Sequence, residues 1–309
     1  MERYWQQLLD SNQIVLIDGA TGTELQRRGV PMDKVAWSGA AVLTHPDIVR
    51  ETHEDYIRAG ANVITTNTFG STRQMLGPAG YGDQVEVVHR AAVSLARQAC
   101  DNAAEKGVAV AGSISTEPPA FDRGAFLSPD EELLAYQEAA GLLADAGVDL
   151  IALEMINETV HAARAMQAAL ETNLPVWLGV GCKKSGDGRI VSFDHLDLEL
   201  ATVLDALIPM GPTVVNIMHS EIAAIPEAIK LVRERWSGPI GVYPESGYFK
   251  KPNWKFVDVI SPADLVTEAL GWVAAGARLL GGCCGTSPDH IKALQAAMPE
   301  LRAAMGARG

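Results

Sequence analysis

Eight short apolar runs, each followed by a helix-length amphipathic pattern, recur along a chain of 309 residues that shows no linker or low-complexity tract. They predict an α/β protein, a (β/α)8 TIM barrel formed as a single domain over residues 1–309. The runs are rich in Val, Ile and Leu and do not alternate strictly, as parallel strands buried on both faces read. An open doubly wound sheet is the competing α/β architecture. The count of eight and the absence of an early Gly-x-Gly-x-x-Gly turn favour the barrel. A typical barrel takes about 250 residues, so insertions take up the rest.

The strand candidates, in order, are IVLIDGATG (14–22), NVITTNTFG (62–70), VAVAGSIS (108–115), LIALEMINE (150–158), PVWLGVGC (175–182), TVVNIMHS (213–220), PIGVYPESG (239–247) and ARLLGGCCG (277–285). Between them, segments such as HPDIVRETHEDYIRAG, PDEELLAYQEAAGLLADAG and SPADLVTEALGWVAAG place apolar residues at i, i+3 and i+4. Several of these begin at a Ser or Asp cap candidate or a first-turn proline, and most close near glycine. A final helix is expected over SPDHIKALQAAMPELRAAM.

The formal net charge is −13, which repels phosphate backbones and argues against a nucleic-acid partner. No window approaches the ~18 apolar residues of a membrane span. The N-terminal MERYWQQLLDSNQ lacks a basic stretch followed by an apolar one, so a cytoplasmic protein is expected. The cysteines are at 100, 182, 283 and 284, and a reducing compartment argues against structural disulfides. Cys100 lies on a helical pattern and reads as a packing residue, whereas the other three fall at strand ends.

Barrel active sites form at the C-terminal ends of the strands. The residues there are Asp18-Gly19, Asn67, Ser113 to Glu117, Glu154, Cys182, Asn216 to His219, Glu245 and Cys283-Cys284. Polar residues end strands for the ordinary reason that loops face water, yet this set also brings acids, amides and three thiols to one rim. Adjacent cysteines have three readings: a strained vicinal disulfide, two small packing residues, or two ligands of one soft metal. The flanking Gly281, Gly282 and Gly285 allow the kink that would turn successive thiolates toward one point.

The segments DGATGTELQRRG, TTNTF, AGSI, LEMINE and GARLLGGCCGTSPDHI together resemble the zinc-dependent homocysteine S-methyltransferase family, from about residue 12 to about 295. The resemblance implies a (β/α)8 barrel and a Zn2+ ion held by three cysteines. That ion would take the substrate thiol as thiolate, the nucleophile toward a small sulfonium or betaine-type methyl donor. It implies metal ligation by Cys283 and Cys284, substrate contacts from Asp18 and Gly19, and a Glu154 carboxylate on the amino-acid ammonium. Asn67, Asn216 and Glu245 join the substrate-binding candidates. A small-molecule thiol and a methyl donor are the expected partners, in sulfur amino-acid metabolism. Homo-oligomerisation is left open.

Three positions depart from the family pattern. Ile217 follows Asn216 where the family has its third cysteine, Glu245 stands in YPESGY where an asparagine is common, and Met155 replaces a threonine. Cys182, next to the sixth strand, is the favoured substitute ligand. His219, two residues beyond Ile217 and so on the same face of an ideal strand, is the alternative. An apolar Ile217 wall and a free Glu245 carboxylate would suit a larger or more cationic ligand than homocysteine. Two other classes of function share the scaffold: a demethylase-like enzyme with weak or no zinc acting on another methylated sulfur or nitrogen compound, and a non-catalytic binding protein.

Overall fold

The computed structural model describes residues 4–118, 122, 126–250 and 255–306. Eight parallel strands form one sheet: β1 (Val15–Leu16), β2 (Val63–Thr65), β3 (Ala109–Ser115), β4 (Leu150–Ile156), β5 (Val176–Val180), β6 (Val214–Glu221), β7 (Ile240–Glu245) and β8 (Ala277–Leu280). Their spatial order is β1-β8-β7-β6-β5-β4-β3-β2, and a parallel bridge between Ile17 and Val63 closes the ring. Seven strands lie within the expected apolar runs and are shorter than them, because the polar and glycine tails turn into the loops of the C-terminal mouth; β6 is as long as its run and is shifted one residue past it, to Glu221.

The two faces of each strand bury separate cores. Inside the barrel, Val15, Val63, Ala109, Leu150, Ala152, Trp177, Val214, Met218, Tyr243 and Leu279 form one apolar cluster. Outside it, Leu16, Ile64, Val110, Ile151, Leu178, Val215, Ile217, Val242 and Leu280 pack against the helices. On β6 the alternation runs Val214 in, Val215 out, Ile217 out and Met218 in, the period of two that a pleated strand imposes.

The helices obey their terminal chemistry. Ser128 makes a capping box with Glu131 at the start of Pro129–Ala146, and the Ser261 hydroxyl accepts from Asp264 N–H at the start of Pro262–Ala275. The stretch expected to form one last helix is two, Pro288–Ala296 and Met298–Gly306. Pro299 sits in the first turn of the second, where it lacks the N–H a continuing helix would need.

Two features lie beyond the eightfold reading. One is a pair of short antiparallel hairpins in the mouth loops, Cys182–Lys184 with Ile190–Ser192 and Tyr248–Lys250 with Lys255–Val257. The other is an N-terminal helix, Tyr4–Asp10, whose Trp5 plugs the opposite end of the barrel. Trp5 meets Trp177 edge to face with ring centroids 5.1 Å apart, an arrangement worth more than area burial alone. No helix among the described residues is long and apolar enough to cross a membrane.

Trp5→Ala should therefore cost about 3–5 kcal/mol of stability. Denaturant unfolding measures this, while kcat per folded molecule should stay unchanged because the plug is remote from the mouth.

Candidate active site

The C-terminal mouth encloses a cavity of about 670 Å3, lined among others by Glu154, His219, Tyr243, Glu245, Cys283 and Cys284. Its metal-binding chemistry comes from the last loop. After β8 the chain passes so close to β1 and β7 that a side chain at Gly281 would strike Tyr243 and the Asp18 carbonyl. Cys283 N–H then donates to the Pro244 carbonyl at 2.7 Å, and Ser246 N–H donates to the Cys284 carbonyl at 2.9 Å. Gly285 adopts φ +84°, a left-handed conformation glycine takes without steric cost, and Thr286 closes the turn through its hydroxyl to the Cys283 carbonyl at 2.7 Å. These bonds leave both thiols facing the cavity, unbridged, with Sγ atoms 3.9 Å apart.

The third member is His219. Between Met218 and Glu221 the β6–β7 register shifts, and His219, the residue after Met218, takes φ +45°. A bulge of this kind re-aims a side chain. Here it turns the ring inward at a position strict alternation would have sent outward. Nδ1 lies 3.5 Å from Cys283 Sγ, and Nε2 lies 3.2 Å from Glu245 Oε2. The ligating atoms of His219, Cys283 and Cys284 all fall within 4.8 Å of one another, and among the described residues this is the group so arranged. Two thiols and an imidazole suit a soft or borderline divalent metal and match a three-ligand catalytic site.

Electrostatics binds the group together. The Cys284 thiol is held well below its ordinary value by Cys283 and by His219. Burial pulls His219 down, but Cys284 and the Glu245 carboxylate outweigh it and push the imidazole up to about 9. The thiol and the imidazole thus each favour the charged form of the other.

On the opposite wall, β4 carries a second bulge: register shifts between Leu153 and Ile156, Met155 takes φ +56°, and its N–H donates to Met218 Sδ at 3.1 Å. Glu154 faces the cavity by ordinary alternation after Leu150 and Ala152, and the bulge that follows it brings Met155 into the lining as well. Burial and then the charge of Asp18 push its carboxyl up to about 8, against the pull of Ser113 and His219. Asp18 is fully buried beneath it and is raised to about 7 by burial, although it accepts from Thr65 N–H at 2.7 Å and from the Tyr243 hydroxyl at 3.1 Å.

The residues read from the sequence thus fall into two sets. Glu154, Asn67, Glu245, His219, Cys283 and Cys284 line the cavity. Asn67 is tied to Ser38, donating to its carbonyl and accepting from its hydroxyl. Asp18 and Gly19 lie one layer down and reach the cavity through Tyr243, whose hydroxyl donates to both the Asp18 carboxylate and the Gly19 carbonyl at 3.1 Å. Asn216 also lies below the cavity, its amide against Gly241.

Two expectations are corrected. Cys182 does not approach the thiol pair: it sits in the outer core, fully buried, its thiol pushed up to about 12 by burial. Strand parity explains this, since Cys182 continues the outward-facing series of Leu178 and Val180. Ile217 likewise packs outward against the helices, so it adds no apolar wall to the cavity, and Glu245 is engaged by His219 rather than free. Sequence reading missed Trp37, Phe69, Phe193, Asp194 and Tyr243 as lining residues. Tyr243 stands in the seventh run and was open to discovery there. Phe69 lies near the end of the second run, while Trp37, Phe193 and Asp194 come from segments outside the runs that carry no periodic signal.

A barrel whose mouth joins two thiols and an imidazole to a half-buried carboxylate has the donor set of a metal-assisted enzyme. The comparisons narrow this class. Residues 15–298 match the family model for homocysteine S-methyltransferase, and the chain belongs to that family and is a methyltransferase. It is 30% identical to homocysteine S-methyltransferase 3 of Zea mays, covering 91% of this chain and 88% of that one. It is 27% identical to selenocysteine methyltransferase of Astragalus bisulcatus, covering 93% of each. The metallated form of the Escherichia coli homocysteine methyltransferase MmuM superposes with a TM-score of 0.74 at 27% identity, covering 94% of this chain and 98% of that one. Family and neighbour point to a metal at this mouth.

The raised carboxyls carry a pH signature. A folded Glu154 near 8, against an ordinary value of 4.5, binds protons that the unfolded chain releases between those limits. Stability of the metal-free, ligand-free protein should therefore fall as pH rises from about 4.5 to 8. Glu154→Gln should flatten that decline, as read from denaturant midpoints across the range. An unchanged slope would mean that Glu154 is not the buried titrating group.

Proposed function

We propose that the protein is a zinc-dependent S-methyltransferase that moves a methyl group from a small sulfonium or betaine-type donor to an α-amino thiol of the homocysteine type, or to the corresponding selenol. The observation that carries this reading is the convergence of His219, Cys283 and Cys284 on one side of the cavity with Glu154 on the other. Zinc, when held by the two cysteines and the histidine, supplies the Lewis acidity that keeps a substrate thiol ionised near neutral pH.

The chain's own residues do the rest. Glu154, costly to ionise alone in its buried site, regains that cost by facing the substrate ammonium in a charge-assisted bond. Tyr243, locked by Asp18 and Gly19, forms a rigid floor that fixes the depth at which the amino acid sits. Trp37, Phe69 and Phe193 in the walls exclude water, and Trp37 and Phe69 offer aromatic surface to a cationic donor, which the acidic lining also attracts. The methyl carbon passes directly from donor to acceptor, the donor leaving with the electron pair of its broken bond, so no side chain need act as a nucleophile.

Metal analysis combined with turnover tests the site. Cys284→Ser and His219→Ala should each lose bound zinc and activity while keeping the fold, whereas Cys182→Ser should keep metal and activity. Full zinc and turnover in His219→Ala would refute the proposed ligand set. Glu154→Gln should weaken binding of the amino-acid thiol by about 2–4 kcal/mol, as expected when one partner of a buried charge pair is lost. A thiol of similar length without the ammonium should show no such loss, and equal losses for both would remove Glu154 from the ammonium-binding role.

A further inference from the structure

The ligand set leaves Glu245, an acid of the cavity wall, without a role. Glu245 ends β7, directly across from Glu221 of β6, and reaches over the β6 bulge to His219. Its Oε2 is 3.2 Å from Nε2, while Nδ1 on the other side of the same ring is 3.5 Å from Cys283 Sγ. The ring is further fixed by Phe193, whose centroid is 4.6 Å away, and Phe193 in turn lies under the Lys183 ammonium at 4.8 Å.

A histidine that ligates a metal through one nitrogen needs the other nitrogen's proton bonded, or its tautomer and orientation are left to chance. Charge poses a second requirement. Three thiolates around a dication leave one net negative charge, whereas two thiolates and a neutral imidazole leave none. A site that has lost a thiolate is thus one negative charge poorer, unless a neighbour supplies it.

We propose that Glu245 is the positioning residue of the metal site: its carboxylate accepts the Nε2–H of His219, directs Nδ1 toward the thiol pair, and returns the negative charge that a third thiolate would have carried. The inference rests on the ligand set given under Proposed function. It links the histidine at 219 to one departure of this chain, the glutamate at 245. It also assigns Glu245 to the metal rather than to the substrate. The observation behind it is the bidirectional placement of one ring, a carboxylate on Nε2 and a thiol on Nδ1, by a bulge that turns a residue of β6 into the left-handed region.

A cycle of variants of the full-length protein tests it, read by zinc affinity in chelator competition and by the visible absorption of the cobalt-substituted protein. Glu245→Gln keeps shape but not charge, and should weaken zinc binding by ~10–100-fold, the usual effect of losing such a partner. Its cobalt spectrum should keep the thiolate charge-transfer bands while the ligand-field bands shift. In a His219→Ala background the same substitution should change affinity no further, since its partner is gone. Native affinity and spectrum in Glu245→Gln would overturn the proposal while leaving the ligand set intact. So would an equal loss in both backgrounds, or an oxygen ligand in zinc-edge X-ray absorption that disappears in Glu245→Gln, which would make Glu245 a direct ligand. Unchanged zinc affinity in His219→Ala would overturn the ligand set and this inference together.

Discussion

The chemistry of this barrel depends on the backbone at the end of β6. A pleated strand sends alternate side chains to opposite faces, and on that rule the residue after Met218 belongs outside, among the helices. Instead the register slips, His219 enters the left-handed region, and its ring swings over the mouth to meet the Cys283-Cys284 loop. A β-carbon in that region is held only at a cost of order 1–3 kcal/mol. The surrounding contacts that hold it there are Glu245, Phe193 and the thiols. A similar slip at Met155 turns that side chain into the lining, beside a Glu154 that ordinary alternation already points inward. One pole of the site thus comes from a break in the pleat and the other from the pleat itself.

The cavity is also a balance of charges in little water. Asp18, Glu154 and Glu245 are all lifted above their ordinary range, in each case first by burial. Such carboxyls are unstable alone and satisfied by a cation. An amino-acid ammonium, a charged donor and a metal ion each supply one. Occupancy of one part of the mouth therefore alters the electrostatic demand in the others.

The fold was legible because it is written in repetition. Each of the eight strands lies inside an apolar run or, in β6, passes its end by one residue, and helix starts such as Ser128 and Ser261 and glycine stops such as Gly60, Gly147 and Gly276 follow local rules. The site was legible where a residue's position follows from its loop, as for Cys283 and Cys284, which were expected at the mouth and line it. It was misread where the role depends on parity. Counting by twos from Ile217 reached His219 and implied that the two share a face; the bulge between them breaks that count, so one packs outward and the other faces the cavity. Cys182 was favoured for its thiol and its place at a strand end, yet strand parity buries it in the outer core. The break before Pro299 and the two mouth hairpins were missed because short, irregular elements leave little pattern.

The plug at the far end of the barrel has a consequence for traffic. With Trp5 seated against Trp177 the barrel is a cul-de-sac, and everything that reacts inside must come and go through the mouth. The acceptor, held against Glu154 and the Tyr243 floor, would lie deeper than a donor among the aromatic walls. A donor that arrived first would stand in the doorway. The architecture thus imposes a queue: acceptor before donor on the way in, and spent donor before methylated product on the way out.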